Sequence, residues 1–460
     1  MVVLHTSRAM LLGVSVAVLT PLPVVFAAES SLIEEILVTA QKREESIQDV
    51  PISVSAVSDK VIEELGMKNI EDLSAIVPNM ATGKRANTMV VNLRGVETNI
   101  AFNEGAGAAV AFHSDGVYLS TSRAGTATFH DVKRVEVSRG PQGTLSGRNS
   151  TAGSINIVTR RPHYDFEIAG ELAAGDFSHF GLSGIINLPL VEDTLALRAS
   201  FVTEEHDGYL ENDNVNSNIK NADDADDKAF RLGLLWDASD DLSLFVKAYY
   251  EEKGGVGPQF VPFLVPEDAR QNAWLGLTGG FGFPIPQQIV EDPSDPRVFS
   301  LDTQPENDVE VWGVTAELQW DLSSTQLTYI GNIHEDENKN SLQDMDGLLV
   351  VSGNASPFGP GVLADGEFGP FVHKNEHFSH ELRLSSVQAD SPLDWVLGAY
   401  YFEEEQFATR QIVIVNAIGP LPDYGFGFDV FDVPLDSESW AVYGDVKYRF
   451  SDKCSNKVYW

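Results

Sequence analysis

The chain has 460 residues, of which 43% are hydrophobic and 10% aromatic, and its formal net charge is −37. This length provides ample material for a core and exceeds one ordinary soluble domain. So acidic a chain argues against a nucleic-acid partner, and a single cysteine, Cys454, excludes an internal disulfide and argues against a thiolate metal cluster.

Residues 1–28 have the pattern of a cleaved signal peptide. Arg8 supplies a positive start, an apolar run follows over residues 9–19, and Pro21 and Pro23 interrupt it before small residues suited to cleavage. After this segment no stretch approaches the roughly twenty apolar residues that a transmembrane helix requires. If the chain lies in a membrane, we therefore expect a β-barrel.

Residues 29–45 contain a short strand-forming stretch and a charged linker. The stretch ends in five residues whose chemistry favours an extended chain: Ile36, Leu37, Val38, Thr39 and Ala40. Two interpretations are open from the residues alone. The stretch is either an edge strand of the next domain or a free strand that another protein captures into its own sheet, with main-chain hydrogen bonds providing the affinity.

Residues 46–162 predict a compact α+β domain of short elements. The first is a strand over residues 51–57, followed by a helix from Ser58 to about Gly66 with Ile62 and Leu65 as its apolar stripe. A second helix runs from Ile70 to Ile76 and is ended by Pro78. A strand from Val90 to Leu93 then runs into Arg94 and Gly95, and a strand pair from Val110 to Tyr118 has Asp115 and Gly116 at its turn.

The domain closes on the string RVEVSRGPQGTLSGRNSTAGSINIVTRRP, from Arg134 to Pro162. Two alternating runs flank a glycine-rich loop, which predicts a hairpin with positive φ at several glycines. The loop carries Arg139, Gly140, Gly143, Gly147 and Arg148. A phosphate-cradling loop is excluded because no Lys-Ser/Thr pair follows the glycines and the segment leads into a strand.

This string resembles the end of the plug domain of TonB-dependent outer-membrane receptors. The resemblance implies an α+β plug domain followed by an antiparallel transmembrane β-barrel of about twenty-two strands. Ile36–Ala40 resembles the TonB box that recruits the energy-transducing protein TonB in family members. Arg94-Gly95 and Asp115-Gly116 match the family's N-x-R-G and D-G-V-Y motifs, and Arg139 and Arg148 are expected to hold the plug to the wall by charge-assisted hydrogen bonds. The chain departs from the family pattern at His113-Ser114, Ser146 and Ala152, where we expect altered packing.

Residues 163–460 predict a barrel segment with a different composition. Residues 30–162 carry 14 basic and 15 acidic side chains, whereas residues from 163 onward carry 16 and 52. Apolar residues alternate with polar ones, which fits lipid outside and water inside, although a soluble sandwich also alternates. About ten strands are predicted, near residues 166–174, 178–187, 194–204, 228–237, 241–252, 309–320, 324–335, 376–386, 393–404 and 439–450.

Connection lengths favour the barrel over the sandwich. Short turns alternate with long segments near residues 205–227, 253–308, 336–375 and 405–438. Outer-membrane barrels place short turns at the periplasmic end and long loops outside. Aromatic residues near predicted strand ends (Trp236, Tyr250, Trp320, Trp440 and Tyr448) are consistent with girdles at the two membrane interfaces.

Metal ligation finds little support in the sequence. His113 and His130 lack a carboxylate at ligand spacing, so we expect polar or packing roles. Asp223–Asp227 lacks the spacing of a calcium loop. His373, His377 and His380 form at most a ligand-contact site, because His380 faces away from His377 on a strand. We predict no metal, cofactor or catalytic site.

The predicted function is TonB-coupled import of a scarce nutrient across the Gram-negative outer membrane. A ferric siderophore is the family's commonest cargo, while cobalamin and glycans are alternatives. Because about ten strands are too few to enclose a plug of this size, we also expect a truncated chain, with an inactive fragment as a further alternative. The expected partners are the TonB complex, outer-membrane lipid and an iron chelate. We expect a monomer that binds no nucleic acid. We expect no signalling role, because no domain separates the predicted signal peptide from the stretch that resembles the TonB box.

Overall fold

The computed structural model describes residues 37–39, 42–43, 45–48, 50, 52–85, 88–97, 108–120, 129–212, 221–255, 297–299, 306–344, 363–368, 372–387, 391–417, 426–451 and 454–459. The predicted signal peptide, Ile36, Ala40 and much of the predicted long connections lie outside the described residues.

The described residues of the first part of the chain form ten short strands and two short helices. The strands are β1 (Leu37–Val38), β2 (Glu45–Ser46), β3 (Ser53–Ser58), β4 (Met80–Arg85), β5 (Thr88–Leu93), β6 (Val96–Glu97), β7 (Val110–Ser114), β8 (Val117–Leu119), β9 (Val132–Arg139) and β10 (Gly153–Thr159). The α-helix α1 spans Asp59–Glu64, and a 3₁₀ helix spans Ile70–Ala75. We refer to β1–β10 with their connections as the plug.

The predicted hairpin forms the centre of the plug. Strand β9 pairs antiparallel with β10, and the five-stranded sheet has the order β3-β9-β10-β7-β8, with β7 and β10 parallel. Alternate residues of β9 and β10, such as Val135 and Ile155, are fully buried in the core beneath the two helices. The strand alternation therefore predicted the hairpin, and both faces of β9 are buried.

The two helices begin where the sequence predicts and end earlier. Helix α1 ends before Gly66, whose φ of 60° a helix cannot continue, and the 3₁₀ helix begins at the capping residue Asn69. Ile62 is buried, whereas Leu65 is 57% exposed. The prediction that Leu65 belongs to the apolar stripe is wrong because the helix stops at Glu64, before the stripe completes a second turn. None of the helices among the described residues is long and apolar enough to cross a membrane.

The second part of the chain is dominated by one antiparallel sheet, which we call the wall. Its strands are β11 (Glu167–Ala174), β12 (Phe180–Val191), β13 (Leu195–His206), β16 (Ala225–Ser239), β17 (Leu242–Gly254), β19 (Glu306–Leu322), β20 (Thr325–Asp344), β21 (Leu363–Phe368), β22 (Val372–Ser386), β23 (Leu393–Ala417), β24 (Phe426–Ser451) and β25 (Cys454–Tyr459). A separate small sheet contains β14 (Leu210–Asn212), β15 (Asn221–Ala222) and β18 (Val298–Phe299).

All ten predicted wall strands are present, and several are longer than predicted. Strands β23 and β24 run to Ala417 and from Phe426, so most of the segment 405–438, which we predicted as a long connection, is strand. Likewise β16 begins at Ala225 and includes half of the acidic run that we placed in a loop. Next to the predicted strand ends, exposed positions carry acids such as Glu405 and Asp436, which interrupt the apolar period before the apolar residues farther along each strand.

The two faces of the wall differ as lipid and water require. Large apolar side chains point outward and remain exposed, including Phe230, Trp236, Trp320 and Trp440. Most buried side chains of the opposite face are polar, with some apolar ones such as Phe402, and Lys247, which meets the plug, is 2% exposed. Trp440 lies in the middle of β24 and not near its end, because the strand is longer than predicted.

Candidate functional site

Strand β1 is docked inside the protein. It pairs antiparallel with β2, with Leu37 opposite Ser46 and Val38 opposite Glu45. Val38 is fully buried, whereas Leu37 is 43% exposed. Because β1 and β2 form a two-stranded sheet of two residue pairs, main-chain bonding alone holds β1 weakly.

A buried carboxylate in the plug holds the end of β1. The Thr39 amide donates to Glu136 Oε1 at 2.8 Å, and the Thr39 hydroxyl lies 3.1 Å from both Glu136 oxygens. Glu136 is 1% exposed, and Arg134 Nε donates to it at 2.7 Å while Asn156 Nδ2 lies at 3.4 Å. Since a buried carboxylate needs compensation, Thr39 belongs to the group that satisfies Glu136.

The linker after β1 is held by the wall through two ion pairs. Lys42 Nζ lies 3.1 Å from Glu381 Oε2 on β22, and Arg43 donates to Asp445 Oδ2 on β24 at 2.8 Å. The acceptors are almost completely buried, at 5% and 0% exposure of their side chains. Burial lowers the pKa of Lys42, and the adjacent Glu381 carboxylate opposes that shift.

The Asp115-Gly116 motif forms a turn that also contacts the wall. Asp115 and Gly116 have φ of 51° and 80°, and the Asp115 carboxylate accepts from the amide and the hydroxyl of Thr159 at 2.8 Å each. Lys247 of β17 forms an ion pair with the same carboxylate. Burial raises the pKa of Asp115, but Lys247, the Thr159 amide and Arg161 together outweigh burial and bring the pKa to about 2.

Two further ion pairs attach the plug to the same side of the wall. Arg198 of β13 donates from Nε and Nη2 to the two oxygens of Asp131 at 2.7 and 2.6 Å. Arg161, just after β10, donates to both oxygens of Glu317 on β19 at 3.1 and 2.6 Å. Both are bidentate, so they fix direction as well as distance.

The Arg94-Gly95 motif is a tight turn within the plug. Both residues have positive φ, 53° and 84°, and the Arg94 amide donates to Asn79 O at 2.9 Å. The Gly95 amide donates to the Asn92 side chain at 2.9 Å. Glycine in the second position accepts the left-handed conformation without strain, so this motif acts on folding.

Only some of the loop glycines require positive φ. Gly140 and Gly147 have φ of 103° and 79°, and a Cβ on Gly153 would lie 2.2 Å from the Ser138 carbonyl oxygen. Gly143 is absent from the positive-φ residues and has open space around it. The prediction of positive φ holds for the first two and is not met at Gly143.

The two arginines of the loop differ in their contacts. Arg148 donates to the Ser437 hydroxyl of β24 at 3.0 Å and lies 5.2 Å above the Phe402 ring of β23. Arg139 donates to Pro78 O at 3.2 Å, within the plug. The expected wall contact is therefore present for Arg148 and replaced for Arg139, because the end of β9 faces the turn before β4.

The histidines do not assemble a metal site among the described residues. His113 is buried against Tyr118, and burial lowers its pKa to about 3. His373 and His377 face inward, whereas His380 faces outward between Tyr329 and Tyr401, as the strand period predicts. His377 stacks near His334, and Phe402 lies beside it.

Sequence reasoning missed the wall residues that hold the linker and the plug. Glu381, Asp445, Lys247 and Glu317 are single polar positions on alternating strands, where polar residues are expected at every second place. A charged residue with a long stem at mid-strand, such as Lys247, is the one signal that the sequence offers. Its partner is more than 130 positions away, so spacing cannot identify it.

Comparisons with known proteins agree with this geometry. A family model described as the TonB-dependent Receptor Plug Domain matches residues 46–154. The chain is similar to the vitamin B12 transporter BtuB of Vibrio vulnificus, with 31% identity over 157 residues, which is 32% of this chain and 24% of that protein. It is also similar to the pesticin receptor of Yersinia pestis, with 33% identity over 186 residues, covering 38% and 27%.

The fold is that of solved receptors. The ferric yersiniabactin uptake receptor FyuA from Yersinia pestis superposes with a TM-score of 0.60 and 15% identity, covering 87% of this chain and 62% of that one. The matches thus span about a quarter of the curated relatives' length and about 60% of this solved structure. The family model and the relatives identify a TonB-dependent receptor plug domain in residues 46–154, and the solved receptor shares the fold over most of this chain.

Proposed function

We propose that the protein imports a scarce nutrient across the outer membrane, with energy supplied through strand β1 by TonB, and that its first cargo class is a ferric siderophore. The observation that carries the proposal is the docked strand. Leu37–Thr39 is a short extended segment held by one two-pair strand contact and by side-chain bonds to Glu136. A competing strand partner can replace the main-chain hydrogen bonds of this segment, which is how β-augmentation works.

The cargo class rests on the similar proteins. The similar structures include a ferric yersiniabactin uptake receptor and a ferripyoverdine receptor of Pseudomonas aeruginosa. Cobalamin is the second candidate, because a relative with 31% identity is a vitamin B12 transporter. The acidic exterior disfavours a strongly anionic chelate by repulsion, and Arg148 supplies positive charge at the plug–wall boundary.

The remaining partners follow from surface chemistry. The outward face of the wall is apolar over its central rows, which suits outer-membrane lipid. We propose a monomer that binds neither nucleic acid nor a resident metal, and no catalytic role.

The test measures uptake by a strain that lacks its own receptor and carries this gene restored to full length. Deleting residues 36–40 should abolish uptake of the labelled iron chelate while surface binding of the chelate is retained. The matched control is Thr39→Ser, which keeps a hydroxyl for Glu136 and should keep uptake. Uptake that persists in the variant lacking residues 36–40 would refute energy coupling through this strand. Growth on cobalamin alone would reassign the cargo.

A further inference from the structure

The linker that follows β1 is tied to the wall at a site separate from the contacts that dock the strand. Thr39 already bonds Glu136 inside the plug. Lys42 and Arg43 then bond the wall, at strands β22 and β24, which are separated by the single strand β23. The linker therefore has its own attachment.

The wall side of this attachment is preorganised. Glu381 accepts a hydrogen bond from Tyr443 and lies 3.4 Å from Arg383 Nε, so its carboxylate is oriented by its own sheet. Arg383 also donates to the Lys42 carbonyl at 3.4 Å, so both the main chain and the side chain of Lys42 are bound.

The Asp445 half depends more strongly on the linker. Its side chain is fully buried on β24, and Arg43 is the one ion-pair partner within the described part of the chain. A buried carboxylate that loses its counter-ion is strongly unfavourable unless water enters. Arg43 is therefore held in place by the cost of exposing Asp445.

Chain length converts this attachment into a limit on reach. Val38 is four residues from Lys42, so an extended chain can carry it at most roughly 14 Å from the Lys42 anchor. If the anchor is released, the next fixed point is β3 at Ser53, fifteen residues from Val38, and the reach rises to roughly 50 Å.

We propose that Glu381 and Asp445 form a docking site on the inner wall for Lys42 and Arg43, and that this site controls how far β1 extends toward its strand-capturing partner. The inference rests on the proposed function for the identity of that partner, but the docking itself does not. It adds a second control to β1: the Glu136 contacts hold the strand, and the wall site limits its travel.

The test measures exposure of β1 directly. Val38→Cys is placed in a Cys454→Ser background, and the rate of maleimide labelling is measured in native outer membranes. The double change Glu381→Gln with Asp445→Asn should raise the labelling rate about tenfold, the factor that corresponds to a charge-assisted bond of ~1.4 kcal/mol. Glu317→Gln is the matched control, because it breaks a plug–wall pair that does not involve the linker and should leave the rate unchanged.

A variant on the linker side guards against damage to the wall. Lys42→Met with Arg43→Met changes no wall residue and should also raise the rate, and Lys42→Glu with Glu381→Lys should restore slow labelling. An unchanged rate in both double variants would overturn the docking site. Capture of TonB's periplasmic domain is scored separately: faster labelling without capture would refute the proposed function and leave the docking site standing.

Discussion

The plug is attached to the wall in two different ways on its two sides. Toward β13, β17 and β19, the attachments come from residues fixed in the plug's own sheet and its exit, namely Asp115, Asp131 and Arg161. Toward β22 and β24, the ion pairs come from Lys42 and Arg43 in the linker after β1. The ion pairs of the first side come from the folded core, whereas those of the second side come from a segment that can be pulled and add to the Arg148 contact with β24.

This difference shows where a pulling force would act first. A force applied at β1 loads Thr39 and its bonds to Glu136 first, and along the chain it then reaches Lys42 and Arg43 before it reaches β3 of the central sheet. The bidentate pairs of Asp131 and Arg161 are loaded only after the linker has been stripped from the wall. The order of release thus follows from the order of the chain, and the predictions below are meant to break one side without the other.

The largest effect is expected from Asp115→Asn. The change leaves Lys247 buried without its counter-ion and weakens the turn that bonds Thr159. Removing one partner of a buried pair typically costs ~3–5 kcal/mol. We expect faster proteolysis of the plug in outer membranes and cells that leak large antibiotics; a variant as protease-resistant as the wild type would contradict the account of the fixed side.

A smaller loss is expected from Gly153→Ala. The new Cβ would meet the Ser138 carbonyl oxygen and force β9 and β10 apart at the start of the hairpin. Strain of this kind costs on the order of 1–3 kcal/mol. The denaturant concentration at which the plug loses half of its protection from proteolysis should fall for Gly153→Ala. It should stay unchanged for Gly143→Ala, whose Cβ meets open space. Equal midpoints for the two variants would show that the hairpin is not so tightly packed.

Acid should weaken the fixed side. The pKa of Asp115 is depressed to about 2 from an ordinary value near 3.9, so its stabilising contribution is complete above about pH 4 and is lost as pH falls toward 2. Pepsin cleavage of the plug should therefore rise over this window. In Lys247→Met the onset should move to higher pH, because the charge that depresses the pKa is gone; an onset that stays in place would argue that Lys247 does not hold Asp115.

The smallest effect is expected from Lys60→Met. Lys60 and Glu64 pair at 4.0 Å with side chains 74% and 63% exposed, and pairs of this kind contribute about 0–1 kcal/mol. The plug's resistance to denaturant should not change measurably. A clear loss would mean that surface charge matters to the plug more than the buried pairs suggest.

The sequence predicted what repeats along the chain. The alternation of Ile155, Ile157 and Thr159 identified β10, and the glycines and Asp115-Gly116 identified turns. Both succeeded because local conformation depends mainly on neighbouring residues. The sequence also correctly predicted the short turns that join neighbouring wall strands, such as the turn between β16 and β17.

Pairings between distant residues could not be predicted in this way. Lys42 and Glu381 are 339 positions apart, and no local pattern distinguishes Glu381 from the other inward polar residues of its strand. Arg139 shows the same limit, since its direction depends on how β9 meets the turn at Pro78. The ends of β23 and β24 were missed because acids such as Glu405 and Asp436 interrupt the apolar period next to the predicted strand ends.

Hydrogen exchange tests the two-sided attachment most directly. Exchange is measured on the receptor in outer-membrane vesicles, with and without the periplasmic domain of TonB. The account predicts that binding changes the amides of β1, β2 and residues 42–43 while β9 and β10 keep their protection. Loss of protection across β9 and β10, with residues 37–46 unchanged, would contradict it.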